Sequence, residues 1–134
     1  MIPKFRAWSK KFKRMYEVTL IDYENGDVGL KDDHGGVAIG DIKQLILMQS
    51  TGMFDKNGVE IFEGDVVETE WFKDYEDFSG YRKRGEVVFR EGYFGIRYPK
   101  DSKRYPYQIL VAAIDIENIG NIYENPELLE SVDE

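Results

Sequence analysis

A chain of 134 residues with 42% apolar and 33% charged residues fits one compact domain, and the absence of cysteine excludes disulfide scaffolds, thiol nucleophiles and iron–sulfur clusters. Eighteen Lys and Arg against 26 Asp and Glu leave a net charge of -8, which disfavours coating nucleic acid by bulk charge alone, so an anionic partner needs a local basic patch. One histidine, His34, cannot build a Cys/His zinc site, and the longest nearly apolar run, Leu45-Ile46-Leu47-Met48, is far too short to cross a bilayer.

The N-terminal segment MIPKFRAWSKKFKRMY is basic but lacks the apolar stretch of a secretory signal, so the chain is read as cytoplasmic. Two dipeptides, Asn25-Gly26 and Asn57-Gly58, stand between β-branched and aromatic runs. They predict hairpin tips of type I′, in which both central residues take positive φ. Before the first tip, YEVTLIDY (16–23) has Tyr16, Val18, Leu20 and Asp22 alternating with Glu17, Thr19, Ile21 and Tyr23, the period of a half-buried strand. Residues 28–30 return, and Asp32-Asp33-His34-Gly35-Gly36 reads as a polar loop. In 41–49, Asp41 can cap a helix carrying Ile42, Leu45 and Ile46, yet the same residues suit a strand, and both readings stay open.

Farther along, Gly64-Asp65 bends the chain before a strand opening at Val66. GEVVFR (85–90), a turn at Glu91-Gly92 and YFGIR (93–97) make a third hairpin. YQILVAAIDI (107–116) is the most apolar stretch and reads as a central strand, with a last short strand over 119–123. Asn125-Pro126-Glu127 has the cap, proline and acidic first turn of a short C-terminal helical turn, within a tail at 124–134 that frays. The sum is an all-β, or mostly β, single domain over 1–134, built as a small barrel or a strongly bent antiparallel sheet.

Chemistry is hard to place on these elements. His34, set between Asp33 and a glycine pair, reads as an exposed loop residue rather than a rigidly held base. Asp22, Glu24 and Asp27 invite a calcium loop, but Gly26 falls at the fifth position where an EF-hand needs the sixth. No phosphate-cradling glycine motif occurs. The reading is therefore a protein without catalytic residues, cofactor or metal.

Charge segregates instead. Residues 1–14 carry six cations and no acid, 15–80 four against sixteen, 81–104 eight against three, and 105–134 none against seven. The first basic block holds Phe5, Trp8 and Phe12; the second holds Tyr81, Phe89, Tyr93, Phe94 and Tyr98, with Tyr105 and Tyr107 just after it. Cations beside stacking rings are what a strand-binding β domain uses. Trp8, Lys10, Lys11, Arg14, Tyr81, Arg82 and Arg84 are therefore the candidate contacts to nucleic acid or to another partner. A solvated face, or a match to the acidic middle within the fold, is the competing reading, and nucleic acid is not favoured.

Four segments, KFRAWSKKFKRMY (4–16), TGMFDKNGVEIFEGDVV (51–67), GEVVFREGYFGI (85–96) and GNIYENPELL (120–129), together resemble the YopX-like family of phage and prophage proteins, in the family's order. Residues 71–84 lie outside the likeness. The resemblance implies a mostly β fold and a phage or prophage product, and carries no reaction with it. The expected function is a non-enzymatic accessory protein, a binding or assembly module that forms a homo-oligomer and meets another phage or host protein, away from membranes. The alternative is a nucleic-acid-binding β-barrel using segments 1–16 and 81–107.

Overall fold

The computed structural model describes residues 3–72, 80–99 and 106–130, which form two compact units, Met1–Ser50 and Thr51–Glu134. In chain order the strands are β1 Phe5–Ser9, β2 Arg14–Asp22, β3 Asp27–Lys31, β4 Val37–Asp41, β5 Leu45–Phe54, β6 Glu60–Phe62, β7 Asp65–Phe72, β8 Gly80–Arg90, β9 Tyr93–Arg97, β10 Tyr107–Ile109 and β11 Glu117–Asn121. Three short 3-10 turns, Ile42–Gln44, Leu110–Ala112 and Pro126–Leu129, are the helical elements among the described residues. The fold is mostly β, as expected, but no barrel closes. Two antiparallel sheets run β4-β3-β2-β1-β5-β6 and β10-β9-β8-β7-β11. Closure would need the end strands to pair, and β6 and β10, three residues each, offer too short a ladder.

In the first unit, Ala7, Val28, Leu30 and Leu45 form the core, with Tyr16, Val18, Ile42 and Leu47 packed on it. The alternation of β2 does not persist through the strand. Val18 opposes Leu30 and Leu20 opposes Gly29, so Thr19 is an extra residue and the pairing shifts there. This bulge turns Leu20 to solvent and half-buries Ile21, placing Leu20 and Val18 on different faces. Gly29 is what allows the crowding: a Cβ there would stand 2.6 Å from Thr19 Oγ1. Segment 41–49 contains both of the readings it left open. Asp41 caps a 3-10 turn through Lys43 N–H, and β5 starts at Leu45.

The hairpins lie where the dipeptides put them, with different turns. Gly26 (φ 76) and Gly58 (φ 82) have positive φ, but Asn25 and Asn57 do not, so neither turn is type I′. Each begins with an aspartate that bonds the turn's own backbone: Asp22 Oδ1 accepts Glu24 and Asn25 N–H, and Asp55 Oδ1 accepts Asn57 and Val59 N–H. Aspartate at the first turn position favours the type I path, with glycine taking the left-handed residue that follows. Glu91 (φ 54) and Gly92 (φ 89) are the pair with the type I′ signature.

In the second unit, Ile61, Val67, Val87, Ile96, Tyr98, Leu110 and Ile116 form the core. The central-strand expectation for 107–116 is overturned. β10 is an edge strand that ends at Ile109, and Val111 and Ile114 are exposed while Leu110 and Ile116 face inward. A run apolar on both sides suits a buried strand, but here the chain leaves the sheet through the Leu110–Ala112 turn. The C-terminal helical turn forms at Pro126–Leu129, and residues 131–134 of the tail lie outside the described residues. Among the described residues no helix is long and apolar enough to cross a membrane.

Candidate functional site

The candidate contact residues divide between the units: Trp8, Lys10, Lys11 and Arg14 belong to the first, Tyr81, Arg82 and Arg84 to the second. The two groups have opposite surroundings.

The first group sits on the β1–β2 hairpin. Half-buried Trp8 opposes Met15, and Arg14 opens β2 opposite Ser9. The turn between them is set by Ser9, whose Oγ accepts Phe12 N–H and whose carbonyl accepts Lys13 N–H, with Lys13 left-handed at φ 56. Lys10 is held against the Ile42–Gln44 turn: its N–H donates to Gln44 O and its Nζ to Lys43 O. Phe12 is 63% exposed, with Lys11 Nζ 5.3 Å from its ring centroid. Among the described residues no carboxylate forms an ion pair with Lys10, Lys11, Lys13 or Arg14. Four cations and an exposed ring are thus presented at one hairpin tip.

The second group is consumed inside its own unit. The register sets Glu70 opposite Arg82 and Glu68 opposite Arg84, an acidic row on β7 facing a basic row on β8. Arg82 Nη1 lies 2.8 Å from Asp115 Oδ2 and 3.3 Å from Glu70 Oε2, and its Nη2 donates to Glu68 O. Arg84 donates from both Nε and Nη2 to Glu68 Oε2, at 3.1 and 2.7 Å, and from Nη1 to Leu128 O. Arg97 pairs with Glu86 Oε1 at 2.7 Å. Lys83, on the opposite face, is only 8% exposed, its Nζ 3.9 Å from the Trp71 ring centroid and 4.3 Å from that of Tyr98.

The rings of the block pack mostly on one another. Trp71 meets Tyr98 edge to face, Phe89 meets Phe94, and Tyr93 meets Tyr107. Tyr98 is core rather than a stacking platform; Tyr81, opposite Trp71, is partly exposed. Tyr105 and the cations at 100–104 lie outside the described residues.

Two polar networks escape a reading by residue type. In one, Asp55 Oδ2 accepts Asn118 N–H, Asp65 Oδ2 accepts Phe62 N–H and Asn118 Nδ2, and Asn121 Oδ1 accepts Tyr123 and Glu124 N–H. In the other, a directed chain runs from Trp71 Nε1 to Thr69 Oγ1 to Tyr98 Oη to Gln108 Oε1 at 2.9, 2.8 and 2.8 Å. Tyr98 gives its only proton to Gln108, so Thr69 donates to Tyr98 and accepts from Trp71. Burial raises the Tyr98 phenol above its ordinary value, although the bonds to Thr69 and Trp71 pull the other way. The bonds of both networks run between groups of the fold itself, which is structural work. The aspartate preceding Asn57-Gly58 was the available signal for the first; the second joins β7, β9's end and β10, a separation no local pattern reports.

His34 is exposed beside Asp33, 3.7 Å away, with no partner of catalytic geometry among the described residues. The Asp22 carboxylate is occupied by its turn, accepting Asn25 Nδ2 as well as two backbone N–H groups. Among the described residues no three His, Asp or Glu side chains converge in a metal-binding group.

No curated protein matches. Among solved structures, protein EF1440 from Enterococcus faecalis is 34% identical, with 97% of this chain and 99% of that one covered and a TM-score of 0.57. Protein yopX from Bacillus subtilis is 26% identical, with 97% and 98% covered and a TM-score of 0.59. With residues 4–130 matching the YopX protein family, the chain belongs to that family.

Proposed function

We propose that this protein is a non-enzymatic accessory factor of phage or prophage origin that acts in the host cytoplasm by binding, both to itself and to a second protein with an acidic surface. The observation that carries this reading is the contrast between its two basic blocks. Arg82, Arg84 and Arg97 are met by acids of their own unit, whereas the Lys10–Arg14 tip has no ion pair among the described residues and offers an exposed Phe12 between its cations. Exposed charge of one sign around an apolar centre steers and seats a partner of the other sign.

A labelled oligoglutamate peptide serves as the acidic probe. Binding is expected to weaken with salt and to fall at least about tenfold in a Lys11→Glu/Arg14→Glu variant. Absence of binding by the wild type overturns the reading. The nucleic-acid alternative draws support from the same tip, since Phe12 could stack on a base. If a single-stranded oligonucleotide binds more tightly than oligoglutamate and the same double variant abolishes it, the alternative replaces the first reading.

A further inference from the structure

We propose that β4 is a self-docking edge: two copies of this chain pair β4 against β4 in antiparallel, with Ile39 facing Ile39 on the two-fold axis. This rests on the self-association in the reading above and names its surface. β4 ends its sheet, and no described strand covers its outer side. The bonds from Asp32 N–H to Gly36 O and from Ile42 N–H to Gly26 O bracket the β3–β4 ladder. With Leu30 opposite Ala38 and Val28 opposite Gly40, the inward bonds belong to Ala38 and Gly40. The backbone N–H and C=O of Val37 and Ile39, and the N–H of Asp41, therefore point outward as a template for another strand, while the Asp41 carbonyl opens the Ile42–Gln44 turn.

Apart from its shortness and Asp41 at its end, β4 has no protecting device, with no lysine, proline or bulge, and Val37 and Ile39 are 79% and 66% exposed. A second copy fits because the strand complements itself. Pairing Val37 with Asp41 and Ile39 with Ile39 engages all three outward residues of both copies, while a register shifted by two leaves an end residue over a turn. No carboxylate then faces another, since each Asp41 lies opposite a valine. Ile39, Gly29 and Leu20 lie in one row across β4, β3 and β2, and Leu20 is exposed. The two-fold joins two such rows into one apolar strip. A five-residue pairing is small beside a standard protein interface, so the dimer is expected to be concentration-dependent.

The test is sedimentation of the wild type across the micromolar range, together with Ile39→Pro, Ile39→Lys, Ile39→Cys and Val37→Cys. Proline at 39 removes an outward N–H and spares the ladder; lysine, at an exposed position, keeps the fold and sets like charges face to face. The expected result is a wild-type dimer, monomeric Ile39→Pro and Ile39→Lys, and oxidative cross-linking of Ile39→Cys but not of Val37→Cys, which faces Asp41. A wild-type dimer that survives Ile39→Lys, or cross-links equally through either cysteine, overturns this interface and leaves self-association standing. A monomer at every concentration overturns both.

Discussion

Asp55 and Asn118 are joined by a 2.8 Å hydrogen bond from the Asn118 backbone N–H to Asp55 Oδ2, across 63 residues of chain. Asp55 also holds the turn at 56–58, so one carboxylate fixes a hairpin tip and anchors it to β11.

Replacing Asp55 by alanine strands three backbone donors and should cost about 3 kcal/mol, read from urea midpoints. A loss within experimental error would show that the network does not hold the hairpin.

The same residue predicts a pH dependence. Burial alone would raise the Asp55 carboxyl, but the N–H groups of Asn118, Val59 and Asn57, with the Lys56 charge, outweigh it and hold the folded-state value below the usual 3.8. A depressed folded value stabilises fully above the unfolded value and is lost as pH falls through the folded one. Wild type minus Asp55→Asn, compared by thermal midpoint, should therefore shrink as pH drops from about 5 to below 3. A constant difference would contradict this assignment.

The Trp71–Thr69–Tyr98–Gln108 chain makes a second demand. Thr69→Val keeps the shape but removes the bonds from Trp71 Nε1 to Thr69 and between Thr69 and Tyr98, at an expected cost of about 1–3 kcal/mol. Tyr98→Phe in the Thr69→Val background should then cost less than Tyr98→Phe alone. Additive losses would mean that the chain is not a unit.

What the sequence showed, and what it hid, follows from the range of the interactions involved. The hairpins, the Asp41 cap and the Gly64 bend are set by residues within a few positions, and they lie where the local chemistry put them. The turn types did not, because Asp22 and Asp55 bond their own loops and override the Asn-Gly preference. The inversion of β2 at Thr19 depends on Gly29, a residue of another strand. Arg82 and Arg84 looked available because Glu68, Glu70 and Asp115 become their partners only through the β7–β8 register and the return of the chain after β10.

The type I′ turn at Glu91-Gly92 offers a gain. A glutamate at φ 54 is strained, and asparagine tolerates that conformation better. Glu91→Asn is expected to raise stability by about 0.5–1 kcal/mol, whereas Glu91→Val should lower it. An unchanged thermal midpoint for both would show that the turn is not held in this form in solution.

Arg82 and Arg84 distinguish a structural basic row from a binding one. In an Arg82→Glu/Arg84→Glu variant, a carboxylate at position 82 meets Glu70 and Asp115 and one at position 84 meets Glu68, replacing cross-strand attraction by repulsion. Each of the native pairs is partly exposed and contributes only about 0–1 kcal/mol, so the loss comes mainly from the new like charges and from the bonds to Glu68 O and Leu128 O. The double variant should unfold at a clearly lower urea concentration, and high salt should recover part of the difference by screening. Oligoglutamate binding, assigned to the Lys10–Arg14 tip, should be unchanged in the variant while it remains folded. The opposite pattern, full stability with loss of polyanion binding, would return the binding surface to β8.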